Sequence, residues 1–212
     1  METKSTARQA RSLDPRKRRA ILEAAQSVFL CAGFSDSSMD DVARAAGVGK
    51  MTVYRHFGSK EALFEAMLVE VCTAMFPQTP LPPGTPLGEE LRILGRSFIA
   101  LITDPKRMST YRLAMAEAER FPLFSRTFYQ GAVLVVLNHV TSRLLAHVPD
   151  LPLVEARRVG AMFLSMVEGP GMLRLMLGVP AEPWNDDFDR QIAEAADWAV
   201  HRIAEDQPPQ PA

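Results

Sequence analysis

The sequence predicts an all-α protein: a small N-terminal helical unit followed by a larger helical body. Apolar residues recur three and four apart in segment after segment from Pro15 to Glu205, and no stretch alternates as a half-buried strand does. Gly and Pro punctuate the chain at helix-length intervals, at Gly47, Gly58, Pro105, Pro122, Pro149, Pro152 and Gly169-Pro170-Gly171. At 212 residues the chain can hold one small and one larger helical unit.

Residues 1–13 are polar and partly basic, with Lys4, Arg8 and Arg11. They read as a disordered arm. It either touches phosphates or the minor groove, or is an ordinary frayed terminus. Asp14 suits an N-cap and Pro15 the first position of a helix running to about Ala32, with Ile21, Ala24, Ala25, Val28 and Phe29 as its buried stripe. Arg16 to Arg19 crowd that helix start and oppose its dipole, so a phosphate contact or a solvated face explains them, not helix stability.

The stretch Ser37 to Lys60, SSMDDVARAAGVGKMTVYRHFGSK, reads as a helix-turn-helix. Ser37 and Ser38 are N-cap candidates, and Asp40 and Asp41 complement the positive end of a helix carrying Val42, Ala43 and Ala46. Gly47 stops it, Val48 anchors the turn, and Gly49 opens a short second helix. Lys50, Thr52, Tyr54, Arg55 and His56 supply donors there, while Val53 and Phe57, four apart, can face inward. Gly58 ends it and Ser59 caps the next helix. An amphipathic helix, a Gly-bounded turn and a donor-rich helix fit a module that reads the major groove of double-stranded DNA. Charge agrees. Residues 1–60 carry 11 Lys/Arg against 6 Asp/Glu and residues 61–212 carry 13 against 19, hidden under a net −1. A basic unit on an acidic body suits a DNA end and a regulatory end, although chance clustering with a basic tail gives the same sum.

The segment AGVGKMTVYRHFGSKEAL, with ILEAAQSVFLCAGFSDSSMDDVA upstream, resembles the DNA-binding signature of TetR/AcrR-family transcriptional regulators. The resemblance runs through residues 21–63; the rest of the chain matches only in length and helical character. It implies three small N-terminal helices, a linker helix, and a C-terminal helical ligand-binding and dimerisation domain. From the residues alone the reading stops at a helix-turn-helix protein with a large helical remainder. Lys50, Met51 and Thr52 open the recognition helix, where Lys can donate to guanine and Met or Thr can meet a thymine methyl. Tyr54, His56 and Lys60 match positions that contact phosphates in the family. Arg55 adds to that set, and Ser38 falls in the matched region. Packing within the three-helix unit is the alternative for Tyr54 and His56. Gly49 departs from the Ser or Thr common there, so a hydroxyl contact to phosphate is lost.

The fourth helix runs from Ser59 to about Phe76 with Leu63, Phe64, Met67, Leu68 and Val71 inside, and reads as a lever between the DNA end and the body. Pro77–Gly88 is a Pro-rich break. The parts are then 1–13 as arm, 14–60 as DNA-binding domain, 61–205 as linker helix and regulatory body, and 206–212 as disordered tail. Body helices are expected over about 87–103, 105–120, 123–147, 153–177 with a break at Gly169-Pro170-Gly171, and 186–205. The last two, apolar and late, suit a four-helix homodimer interface, and a charge at Ala195 or Ala199 is expected to disrupt it. A dimer calls for a palindromic operator.

Catalytic constellations are missing: no GxSxG, HExxH or Gly-rich phosphate loop, and no cofactor motif. His139 and His147 lie two helical turns apart, too far to share a metal, and Cys31 and Cys72 read as buried reduced thiols. No enzyme, metal or cofactor is expected. No run is long and apolar enough to span a bilayer, so a cytoplasmic, nucleoid-associated protein is expected. Eight methionines follow Lys60, and with the aromatics they form either an adaptable cavity or a plain core. The candidate lining is Phe98, Tyr111, Met115, Met162, Phe163 and Met166, for a small apolar or aromatic effector. Glu168 in FLSMVEGPGML orients a ligand, pairs with Arg174 or faces solvent. The functional expectation is a dimeric repressor released from its operator by that effector. A TetR-like activator, or a regulator answering to a protein partner, is the alternative, and an enzyme or small-molecule carrier fits least.

Overall fold

The computed structural model describes residues 14–73, 82–179 and 187–205, and these form helices and turns without a strand. The N-terminal arm, the C-terminal tail, the Met75-Phe76 end expected for the fourth helix and the Cys72 side chain lie outside the described residues. The chain divides into two compact units, one ending at Met67 and the other beginning at Leu68.

The first unit holds α1 (Pro15–Asp36), α2 (Met39–Ala45), α3 (Lys50–Phe57) and the start of α4 (Lys60–Thr73). Asp14 caps α1 by accepting from the Arg16 amide at 2.9 Å, with Pro15 at the first position as the sequence predicts. The buried face is Ile21, Leu22, Ala25, Gln26 and Phe29. Ala24 and Val28 are only half-buried, because positions 22, 26 and 29 satisfy the same helical period and Leu22 takes the inward place. Gly33 breaks the regular helix at φ 79° and ψ 165°, values that cost a side chain with a Cβ. That kink turns Phe34 inward, where its ring meets Phe29 at 5.6 Å and Phe64 at 5.1 Å between centroids. Each of these fully buried rings contributes about 1.5–3 kcal/mol to the unit. Cys31 is exposed, which corrects the expectation of a buried thiol; the residue follows the outer face of α1.

The second unit holds α5 (Leu87–Thr103), α6 (Pro105–Ala116), α7 (Pro122–Phe128), α8 (Leu134–His147), α9 (Leu153–Glu168), α10 (Gly171–Leu177) and α11 (Phe188–Glu205). Its core is shared by α5, α8, α9 and α11, with Leu91, Leu94, Val140, Leu144, Val159, Phe163 and Ile192 buried at its centre. Small residues set the close approaches. Gly95 on α5 faces Ile192 so closely that an added Cβ would lie 2.8 Å from its Cγ2. Ala195, Ala196 and Ala199 are fully buried between α11 and its neighbours. This corrects the use of Ala195 or Ala199 as probes of a dimer interface: they are core residues whose small size lets α11 approach α5 and α9.

Two features carry no signal in the sequence. The helix expected over 123–147 is divided, because Tyr129–Val133 forms one π-helical turn between α7 and α8. A π turn inserts a residue and rotates the helix beyond it, and such turns gather at functional sites. Glu90, only 3% exposed, takes Arg143 in a two-pronged bond, Nε to Oε2 at 2.9 Å and Nη2 to Oε1 at 2.6 Å. His147 Nε2 stands 3.2 Å from Glu90 Oε2. The Arg143 hydrogen bond holds the Glu90 carboxyl below its ordinary range.

Candidate nucleic-acid interface and body cavity

The helix-turn-helix is built from caps. Ser38, not Ser37, is the N-cap of α2, in a reciprocal box: the Asp41 amide donates to Ser38 Oγ at 3.2 Å and the Ser38 amide to Asp41 Oδ2 at 3.1 Å. Ser37 is buried and donates its hydroxyl to the Phe34 carbonyl at 2.7 Å. The turn after α2 closes with Val48 N–H on Ala43 O at 3.0 Å and Gly47 N–H on Arg44 O at 3.2 Å, and Gly47 sits at φ +64°. This places α3 directly against α2, with Val53 fully buried and Phe57 half-buried as its inward side. Ser59 Oγ accepts from the Ala62 amide at 3.1 Å and starts α4.

The outward side of α3 carries the residues expected from the sequence to meet DNA. Met51 is 76% exposed, a value that buries little apolar surface in the free chain and leaves a thioether free for a partner. Lys50, Tyr54 and Arg55 are exposed, and Thr52 and His56 are half-exposed. Arg55 Nη2 lies 3.4 Å from His56 Nε2. Lys50 is already engaged: its ammonium donates to Asp40 Oδ2 at 2.8 Å and stands 5.6 Å from the Tyr54 ring centroid. The Asp40 bond raises the Lys50 pKa, so the side chain stays charged. Both partners are about half exposed, so the pair is weak and exchangeable for an acceptor on DNA.

Lys60 has a different place. Its ammonium donates to three carbonyls, Phe34 at 2.7 Å, Ser35 at 3.1 Å and Ser37 at 2.8 Å, and lies 4.5 Å above the Phe34 ring. Those carbonyls lie at and just past the C-terminal end of α1, where no further helical amide follows, and Lys60 closes them. A phosphate contact by Lys60 competes with three existing bonds. Lys60→Ala is therefore expected to destabilise the first unit by about 2 kcal/mol, the net worth of two or three such bonds. Urea unfolding of the variant checks this, and a midpoint equal to wild type would remove the capping role.

The second unit contains a cavity of about 280 Å³. Phe98, Leu101 and Ile102 of α5, Tyr111 of α6, Leu137 of α8 and Met172 of α10 line it, and the π turn contributes Tyr129, Ala132 and Val133. From α9 come Ala161, Leu164, Ser165 and Glu168. Of the lining read from the sequence, Phe98 and Tyr111 are brought together here. Phe163 is fully buried in the core instead, and Met115, Met162 and Met166 are exposed on outer faces. Helical spacing names a face but not which face borders a void, so the methionines misled. The π-turn residues carried no sequence signal. Glu168 faces the cavity; Arg174 donates to the Val179 carbonyl at 3.0 Å instead of pairing with it. Burial pushes the Glu168 carboxyl up. Burial, and then the Glu168 charge, push the Tyr111 phenol up. Among the described residues no group of three His, Cys, Asp or Glu side chains could hold a metal, and no helix is long and apolar enough to cross a membrane.

Residues 21–67 match the family model described as bacterial regulatory proteins, tetR family, and residues 89–202 match that of the AefR-like transcriptional repressor, C-terminal domain. The chain is 43% identical over 51 residues to the HTH-type transcriptional regulator SrpR of Pseudomonas putida, a match covering 24% of each chain. It is 27% identical over 131 residues to the HTH-type transcriptional regulator YhgD of Bacillus subtilis, covering 60% of this chain and 67% of that one. Among solved structures, the flavonoid-responsive regulator FrrA superposes with a TM-score of 0.75 at 29% identity, over 89% of this chain and 97% of FrrA. A TetR family transcriptional regulator from Pseudomonas syringae shares the fold at a TM-score of 0.64 and 23% identity, over 89% and 97% of the two chains. Capped helix-turn-helix, helical body and both family matches lead to one statement: the chain is a DNA-binding transcriptional regulator, not an enzyme, and it belongs to the TetR family.

Proposed function

We propose that the chain acts as a dimeric repressor that binds a palindromic operator and is released by a small apolar or aromatic effector. The observation that carries the reading is an apolar cavity of about 280 Å³ in the body of a chain whose other unit presents Lys50, Met51, Tyr54 and Arg55 outward on α3. Two further points support it. The body matches the model of a repressor's C-terminal domain, and FrrA, similar over most of its length, is described as flavonoid-responsive. A short recognition helix reads few base pairs, so two copies are needed to select a site in a genome. Occupancy of the cavity is read out through α4, the helix within which the two units meet in sequence. By linkage, an effector that releases DNA must itself be bound more weakly by the DNA complex, by the same factor.

A gel shift on the promoter DNA beside the gene tests the DNA half. Lys50→Ala is expected to weaken operator binding by about 1–3 kcal/mol and to relax preference at one base pair per half-site. Unchanged affinity and unchanged preference would take Lys50 out of base reading. Calorimetric titration of an effector with and without operator tests the switch half, and equal affinities would end the proposal of release.

A further inference from the structure

We infer that Glu168 makes the body cavity selective for an aromatic effector that presents a hydrogen-bond donor, and that it excludes effectors ending in a carboxylate. This rests on the reading of the cavity as the effector site. The size comes first. A dry cavity of roughly 150 Å³ holds one benzene ring. At about 280 Å³ this cavity has room for two linked or fused rings.

The chemistry of the walls comes next. Most of the lining is apolar, with Phe98, Ile102, Phe128 and Val136 among its walls, and Tyr111, Tyr129 and Ser165 add hydroxyls. Tyr111 stands edge-on to Phe128 at 5.1 Å between centroids, so it is fixed by packing. Against these walls Glu168 is the single carboxylate, and among the described residues no cation or donor is bonded to it. Arg174, six residues on, is turned to the Val179 carbonyl. Arg112, on the same helix as Tyr111, is spent on the Leu175 and Met176 carbonyls at 2.5 and 3.0 Å. A partly buried carboxylate without a protein partner is an unfavourable arrangement. Burial raises its pKa, which is the same statement in protonic terms.

A ligand O–H or N–H reaching Glu168 relieves that penalty, and a charge-assisted bond in an apolar site is stronger than a neutral one. An anionic ligand adds a second negative charge beside the first and makes it worse. Tyr111 can donate to or accept from the same ligand group, since a phenol does both. The shared ligand chemistry is then a two-ring aromatic body with a phenol or an ammonium at one end.

The test uses the full-length protein and three probes of one size: biphenyl-4-ol, 4-phenylbenzylammonium and biphenyl-4-carboxylate. Affinities are measured by calorimetry without DNA, so that the site is tested apart from repression, and a gel shift with each probe then reports release separately. Wild type is expected to bind the phenol or the ammonium roughly tenfold or more above the carboxylate, the worth of one charge-assisted hydrogen bond. Whether the phenol or the ammonium leads identifies which donor the site takes. In Glu168→Leu the preference over the carboxylate is expected to shrink to about twofold or less, while the carboxylate itself binds better. This variant keeps side-chain volume and replaces an unpaired acid by an apolar group, so its melting temperature should equal or exceed that of wild type. The inference is overturned if the carboxylate binds wild type as tightly as both donors, if no probe binds, or if a folded Glu168→Leu protein keeps the full preference. A probe that binds with the expected preference but releases no DNA leaves the selectivity standing and defeats only the repressor reading.

Discussion

Ala195→Asp is expected to abolish folding of the helical body. Ala195 is fully buried on α11, in the core shared with α5 and α9, and one turn earlier Ile192 lies so close to Gly95 that a Cβ added to that glycine would stand 2.8 Å from the Ile192 Cγ2. An aspartate at position 195 meets overpacking and loss of hydration together. Burial of an unpaired charge places the effect at roughly 5 kcal/mol or more, comparable with the whole stability of an ordinary domain. Loss of the near-ultraviolet dichroism and of a cooperative thermal transition would register it; a variant that melts like wild type would show that α11 does not pack as described. The contrast is Met162→Glu on the outer face of α9, where the side chain is 41% exposed. That variant should fold within about 0.5 kcal/mol of wild type. If the outer face of α9 forms the dimer interface, its sedimentation should shift toward monomer.

Arg143→Ala should have the next largest effect. It leaves the Glu90 carboxylate, 3% exposed, without the guanidinium that holds both its oxygens. Breaking one side of a buried pair costs about 3–5 kcal/mol, and the 36% exposure of the Arg143 side chain moves this chain to the lower end, near 3 kcal/mol. Replacing both partners by Leu should recover much of the loss. The pH dependence has a definite sign. Glu90 is held below its ordinary value of 4.5 by Arg143, so the unfolded chain binds its proton more readily than the folded one. The contribution is therefore complete above about pH 4.5 and is lost as the pH falls through the lower, folded value. Urea midpoints on the acid side should fall less steeply with pH in Glu90→Gln than in wild type; parallel curves would assign the acid limb to other carboxylates.

Local signals were legible in the sequence wherever a short-range rule governs the backbone. Asp14-Pro15 fixed the start of α1, Gly47 the turn and Gly58 the end of α3, because each acts through its own φ or its own hydrogen bond. The helix expected over about 87–103 is α5, because Leu91, Leu94, Phe98 and Leu101 fall in register, although the Pro-rich break expected to reach Gly88 ends before Leu87. The outward placement of Lys50, Met51, Tyr54 and Arg55 on α3 follows from the same logic, since Val53 turns inward.

The features that only the tertiary structure decided have a common physical origin, the meeting of groups distant along the chain. Lys60 is a donor at a helix start in the sequence; only the C-terminal end of α1, more than twenty residues earlier, supplies the three carbonyls that occupy it. Ala195 and Ala199 read as interface residues because they lie on an apolar, late helix, and only the approach of α5 and α9 makes them core. Phe163 and Tyr111 are both aromatic candidates, yet one fills the centre of the core and the other borders the cavity. Periodicity fixes the direction in which a side chain points. Whether it points at a neighbour, a void or solvent is set by how the helices pack, and in this chain that packing turned Glu168 toward the cavity.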